Sequence, residues 1–258
     1  MAIKIVVDLV RETGATILFL LVVIRTVARH GVSMSQVVDQ IYVIGFRSLP
    51  TTIMAGSFVG AIMAIQINLQ LRDFGAQAFL GGLATSVTIR NVGPVLIAFM
   101  LSGKVGAYTS AELGTMRVTE QIDAIRCLGT DPIQYIIAPR MIGVVVSSFL
   151  LLIIGLMVGI GGGMAVSEYH LGISAQNYIQ NIPRLVSWSS VATGIVKSFV
   201  FGVLIGAIAC YKGYSASEGA AGVGRCVKRT AVETLVSIIV ADFAISSVSA
   251  FWHELAFS

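Results

Sequence analysis

Two charges stand where hydrocarbon would make them expensive. Lys197 and Asp242 each lie alone inside a long apolar stretch. Counted from the far ends of those stretches at about 1.5 Å per residue, both fall near the same depth, close to the middle of a bilayer. An isolated charge there costs several kcal/mol, so such residues pair with one another or face a polar cavity. The spacing predicts that Lys197 and Asp242 interact, directly or across a water, either as a structural tie between neighbouring helices or beside a transport cavity.

A second group of polar residues lies between two apolar stretches, from Ala111 to Pro132. Val118, Ile122, Ile125 and Leu128 recur at helical spacing, with Arg117, Glu120, Gln121 and Asp123 on the other faces. Gly129 can cap such a helix and Pro132 prevents its easy continuation. This pattern suits surface anchoring or insertion into a protein groove. Glu120 and Asp123 weigh against an anionic membrane surface, and mixed charge favours a groove, where it fixes register.

Other chemistry is poorly represented. The chain has no Gly-x-x-x-x-Gly-Lys-Ser/Thr sequence, so ATP hydrolysis by that route must come from a partner. His30, His170 and His253 fall in loops or tails, and Cys127, Cys210 and Cys226 lack metal-ligand spacing. No metal site or catalytic group is therefore expected, and no cofactor on this chain. The net charge of +4 lacks the basic, aromatic-interleaved stripe of a nucleic-acid binder.

The elements that position these residues follow from composition. Of 258 residues, 56% are hydrophobic and 12% charged, about half the charged share of an ordinary soluble domain. A bilayer core needs roughly 20 apolar residues per helical span. Five stretches qualify, near residues 48–71, 88–111, 141–167, 187–211 and 231–252. The apolar run Thr13–Ile24 is shorter, and Arg25 and Arg29 stand where a signal-peptide cleavage site would need small residues. An interfacial helix within residues 1–47 is expected, with Lys4, Arg11, Arg25 and Arg29 at the headgroups. The expected fold is thus all-α and membrane-integral, one domain over 1–258: an N-terminal interfacial helix, then a five-span core over 48–258.

Lys and Arg number five up to Arg47, four from Lys104 to Arg140 and four from Lys212 to Arg229, against two, one and none in the alternate loops and tail. Positive-inside logic puts the N-terminus and the basic loops in the cytoplasm and the C-terminus, with His253 and Glu254, outside. Lys104 can snorkel to headgroups from its nearby helix end. Arg90, expected at the outer end of the second span, suits anchoring or a lipid phosphate. Small residues four apart (Gly56 and Gly60; Gly155, Gly159 and Gly163; Gly202 and Gly206) predict close helix packing. Ile62, Ile65 and Leu69 offer an apolar face able to bury acyl tails of any identity.

These sequences resemble one family. Leu101-Ser-Gly-Lys-Val-Gly-Ala, with Ala111-Glu-Leu-Gly-Thr-Met-Arg-Val-Thr-Glu-Gln-Ile-Asp-Ala-Ile, is similar to the signature of MlaE-type permeases. Gly213-Tyr with Ala221-Gly-Val-Gly-Arg-Cys-Val-Lys-Arg-Thr-Ala-Val resembles a second signature, and Arg90-Asn-Val-Gly-Pro-Val-Leu a third. The likeness covers nearly the whole chain. It implies the membrane subunit of an ABC transporter that moves phospholipids across the Gram-negative envelope from the inner membrane. It further implies a coupling helix using Glu112, Arg117, Glu120, Gln121 and Asp123, and two permease copies enclosing a lipid cavity. The implied partners are an ATPase that binds ATP and magnesium, a STAS-domain protein and an MCE-domain ring. One departure stands out: Asn91 occupies a position that is commonly acidic in the family, so a role built on that carboxylate does not carry over. Two rivals differ in class, a gradient-driven transporter using Lys197 and Asp242 as a proton relay and an intramembrane lipid-modifying enzyme. The first lacks visible inverted symmetry and the second a polar catalytic cluster.

Overall fold

The computed structural model describes residues 2–217 and 219–257, with side-chain surroundings for 11–217 and 219–251. The expectations for Lys4, His253 and Glu254 fall on side chains outside these. Among the described residues every regular element is helical. The chain runs α1 (Ala2–His30), α2 (Met34–Arg72), α3 (Leu80–Val87), α4 (Gly93–Leu101), α5 (Ala107–Val118), α6 (Gln121–Cys127), α7 (Ala138–Tyr169), α8 (Ala175–Leu185), α9 (Trp188–Tyr214) and α10 (Gly219–Phe257). Three wide π-helical turns, at Thr88–Val92, Ser102–Gly106 and Ile133–Ile137, join α3 to α4, α4 to α5 and lead into α7.

Six stretches are long and apolar enough to cross a membrane: the five expected, and Arg11–His30 near the N-terminus. The expected short N-terminal segment is continuous helix over 29 residues, because no Gly or Pro breaker stands between Thr13 and Ile24 and the flanking charged residues are good helix formers. Other boundaries also move outward. The second stretch starts at Gln77, and α10 starts at Gly219, inside what charge alone marks as a loop. Charged residues are excluded from hydrocarbon but not from a helix that projects beyond it, so the basic run 225–229 continues α10.

Packing divides the chain into two compact units. One comprises 1–46, 102–147 and 203–235, the other 47–101, 148–202 and 236–258, so α2, α7, α9 and α10 contribute to both. In the first, Val23 of α1 is buried with Leu113, Ile137, Met141 and Cys210. In the second, α2 and α7 meet through glycine. A Cβ at Gly56 would strike the Gly155 carbonyl, one at Gly60 the Gly159 carbonyl, and one at Gly162 the Ser57 carbonyl. Small residues thus supply the close approach that lipid-embedded helices need.

The polar loop before the fourth span carries an unexpected helix. Ser174 caps α8, its hydroxyl accepting from the Asn177 amide at 3.4 Å. The helix is laid on α3, whose Gly81 and Gly82 face the Tyr178 and Asn181 carbonyls. Tyr178 is buried beneath it, 3.5 Å from the Thr85 hydroxyl, and burial pushes its phenol above the ordinary tyrosine range.

Candidate functional site: a helical elbow and a buried ion pair

The segment that promised one amphipathic helix is an elbow. α5 ends at Val118, Thr119 leaves helical geometry, and Glu120 adopts φ 60, the one positive-φ non-glycine among the described residues. For a residue with a Cβ this left-handed geometry costs roughly 1–2 kcal/mol, so surrounding contacts must hold it. They are visible. Arg117 Nη1 reaches across the break to Asp123 Oδ1 at 2.6 Å, and Arg126 Nη2 donates to the Tyr214 hydroxyl at 2.9 Å. Arg117 also stacks over the Tyr214 ring. Ile122 is fully buried and anchors α6 from beneath.

The break separates residues that helical spacing had placed on one face. Val118 stays half-buried on α5, Ile122 and Ile125 turn inward on α6, and Leu128 projects, 82% exposed. Gly129, with φ 79, closes α6 as expected, its amide donating to the Arg126 carbonyl. Asp131 Oδ1 then accepts from the Ile133 amide at 2.9 Å, and Pro132 leads the next helical run, where its missing N–H costs nothing.

The five polar residues singled out here divide by geometry. Glu112 is turned into the protein, Oε1 accepting from Arg140 Nη2 at 2.8 Å, and the Arg140 side chain is almost wholly buried. Arg117 and Asp123 brace the elbow. Glu120 and Gln121 are exposed at its tip beside Leu128. Two charges therefore stiffen the bend and two polar groups with one leucine form the outward surface, the arrangement of a docking projection.

In the other unit, Lys197 and Asp242 are in direct contact. Lys197 Nζ lies 2.6 Å from Asp242 Oδ1 and donates to the Arg90 carbonyl at 2.9 Å and the Ser246 hydroxyl at 2.8 Å. Its side chain is fully buried, while that of Asp242 retains 26% exposure. Arg90 is not at the end of its span. It lies within the π turn of the helical run 77–118, and that turn offers its carbonyl to the lysine. A wide turn leaves carbonyls without their usual partner four residues on, and Lys197 fills one such vacancy. Asn91 is exposed.

Ile62, Ile65 and Leu69 continue an apolar face of α2 that begins at Met54 and Phe58, all of them exposed. The spacing of three and four keeps them on one side of the helix.

Sequence reasoning missed a third cluster. Lys212, at the end of α9, sits between Glu12 of α1 (3.0 Å) and Glu233 of α10 (2.6 Å). The signal was present in position alone: each residue stands near the edge of an apolar stretch. Among the described residues no group of His, Cys, Asp and Glu could hold a metal ion.

The family model described as Permease MlaE matches residues 37–248. A probable ABC transporter permease protein of Rickettsia conorii is 35% identical over 238 residues, 92% of each chain. The intermembrane phospholipid transport system permease protein MlaE of Haemophilus influenzae is 31% identical, with 82% of this chain and 81% of that one covered. The chloroplastic protein TRIGALACTOSYLDIACYLGLYCEROL 1 of Arabidopsis thaliana is 34% identical over 79% of this chain and 58% of its own length. The matched region holds the elbow, the Lys197–Asp242 pair and the glycine contacts between α2 and α7, and with it the chain belongs to the MlaE permease family.

Proposed function

We propose that this chain is the permease subunit of an ATP-driven phospholipid transporter in a bacterial inner membrane, with the elbow as the element that receives force from a separate ATPase. One observation carries the reading: a bend held at energetic cost, braced by Arg117–Asp123 and Arg126–Tyr214, with Glu120, Gln121 and Leu128 pointing outward. A rigid bend passes a push at its tip to α5 and α7. A flexible loop would absorb it.

Energy on this reading comes from ATP and magnesium bound by the partner subunit. The cargo is a phospholipid, the name borne by the Haemophilus relative, and its tails need only apolar surface. The α2 face from Met54 to Leu69 supplies such surface in each of two permease copies facing one another. A STAS-domain protein on the cytoplasmic side and an MCE-domain ring on the periplasmic side complete the assembly. Lys and Arg counts place the N-terminus and the elbow in the cytoplasm.

Cys127 is exposed on the elbow while Cys210 and Cys226 are buried, so the native chain carries its own orientation probe. A membrane-impermeant maleimide should label Cys127 in inverted vesicles and spare it in right-side-out ones. The opposite pattern overturns the reading. Purification with the co-expressed ATPase, followed by lipid transfer between liposomes with and without ATP, tests the function itself.

A further inference from the structure

Beside the Lys212 cluster the first unit contains a cavity of about 290 Å³ that the transport reading does not use. Glu12, Tyr211 and Lys212 line it with Ser215, Ser217, Arg225 and Arg229. Lys212 is buried against Glu12 and Glu233, its ammonium committed to two carboxylates. Arg225 and Arg229, one turn apart on α10, are both exposed. Three cations thus stand against two carboxylates, and the excess positive charge is carried by the arginines at the rim rather than the floor.

The neighbourhood is also apolar on one side. Val232 follows Arg229 on the same face of α10 and is 61% exposed. Exposed Leu18 and Leu21 continue α1 beyond Glu12. A polar cavity with guanidinium donors and two serines, opening beside uncovered aliphatic side chains at the charged ends of membrane-crossing helices, has two chemistries side by side.

We propose that this cavity is a binding site for the phosphate of a membrane phospholipid, with Arg225 and Arg229 on the phosphate oxygens, Ser215 and Ser217 assisting, and the acyl chains along Val232, Leu18 and Leu21. Guanidinium groups suit phosphate oxyanions because their forked N–H donors match paired oxygens. The volume is small for a drug-sized ligand and adequate for a headgroup. A soluble phosphate shares the headgroup chemistry but makes no use of the aliphatic flank, which favours the lipid as source. The site depends on the chain lying in a membrane and not on what the permease carries, so failure of one reading leaves the other standing.

The test uses the full chain, delipidated in detergent, with native mass spectrometry counting bound ligand. The probes are dioleoyl-phosphatidylglycerol, dioleoylglycerol, glycerol 3-phosphate and inorganic phosphate. The expected result is one saturable phosphatidylglycerol per chain that Arg225→Gln/Arg229→Gln weakens about thirtyfold, each guanidinium near a lipid surface contributing about a factor of five. Lys228→Gln, on an adjacent face and outside the cavity, should leave binding unchanged, and Arg225→Lys/Arg229→Lys should restore most of it. Should the double glutamine variant fail to fold, Ser217→Leu fills the cavity from the loop and carries the same expected loss. Equal binding by wild type and these variants overturns the proposal, as does equal binding of dioleoylglycerol. Inorganic phosphate or glycerol 3-phosphate binding as tightly as the lipid assigns the site to a soluble ligand instead. If the arginine variants keep lipid but lose a co-purifying ATPase, the arginines belong to a protein interface and the lipid site is rejected.

Discussion

Lys197 Nζ touches Asp242 Oδ1 at 2.6 Å and in the same geometry donates to the Arg90 carbonyl, so one ammonium joins α9, α10 and the π turn between α3 and α4. The pair is not symmetric: the lysine serves three acceptors, whereas the aspartate has a partly open side. Charge exchange is therefore expected to fail. In Lys197→Asp/Asp242→Lys, a carboxylate would face the Arg90 carbonyl, two acceptors with no proton between them. Lys197→Met alone should cost about 3 kcal/mol by stranding a carboxylate, with Lys197→Met/Asp242→Asn regaining 1 kcal/mol or more, on the order expected for residues in contact. Thermal unfolding in detergent of the two singles and the double measures the coupling, and strict additivity would refute it.

The elbow residues should separate by assay. Glu112→Ala breaks the bond to nearly buried Arg140 and is expected to destabilise the chain by about 2 kcal/mol. Glu120→Ala, Gln121→Ala and Leu128→Ala touch only exposed groups and should stay within about 0.5 kcal/mol of wild type while weakening ATPase association. Chemical unfolding reads the first effect and co-purification the second. Equal effects of Glu112→Ala and Gln121→Ala on both assays would remove the distinction between bracing and docking.

Backbone contact between α2 and α7 leaves no volume for a side chain. Gly60→Ala places a methyl group on the Gly159 carbonyl, so helices must separate, at a cost of about 1–3 kcal/mol. Gly161→Ala, on the same helix as Gly159 with open space around it, should be neutral or stabilising by up to about 1 kcal/mol. Apparent melting temperatures of the two variants check the pair, and similar values would show that the glycines serve no close approach.

Lys212→Met leaves Glu12 and Glu233 facing each other without their shared ammonium. α1 is then expected to loosen, since Lys212 ties it to the ends of α9 and α10. Hydrogen exchange over residues 11–30 should rise in Lys212→Met, and rise much less in Lys212→Met/Glu12→Gln, where one of the opposed charges is gone.

Much of this arrangement was legible beforehand because hydrocarbon imposes strict composition on any chain that crosses it. The five long apolar stretches appear as helices, and equal depth brought Lys197 and Asp242 together as an actual contact. Features set by tertiary contact were not legible. Helical spacing ran straight through Thr119 and Glu120, since the left-handed turn is held by Arg117, Asp123, Arg126 and Tyr214, partners up to 88 residues distant. Arg90 looked like a boundary because charge normally ends a span, yet a fully buried lysine holds its carbonyl. α8 went unseen for a different reason: its polar sequence is helical only when it lies on Gly81 and Gly82.

The π turn at Thr88–Val92 amounts to one residue more than an α-helix needs over the same length. Removing a single residue there would close the turn to ordinary pitch and swing everything on one side by about 100° relative to the other. The length of this helix is consequently locked to its azimuth. Natural variants can exchange side chains freely between Thr88 and Gly93, but a one-codon deletion in that interval would redirect α4 through α5 and carry the elbow away from its footing.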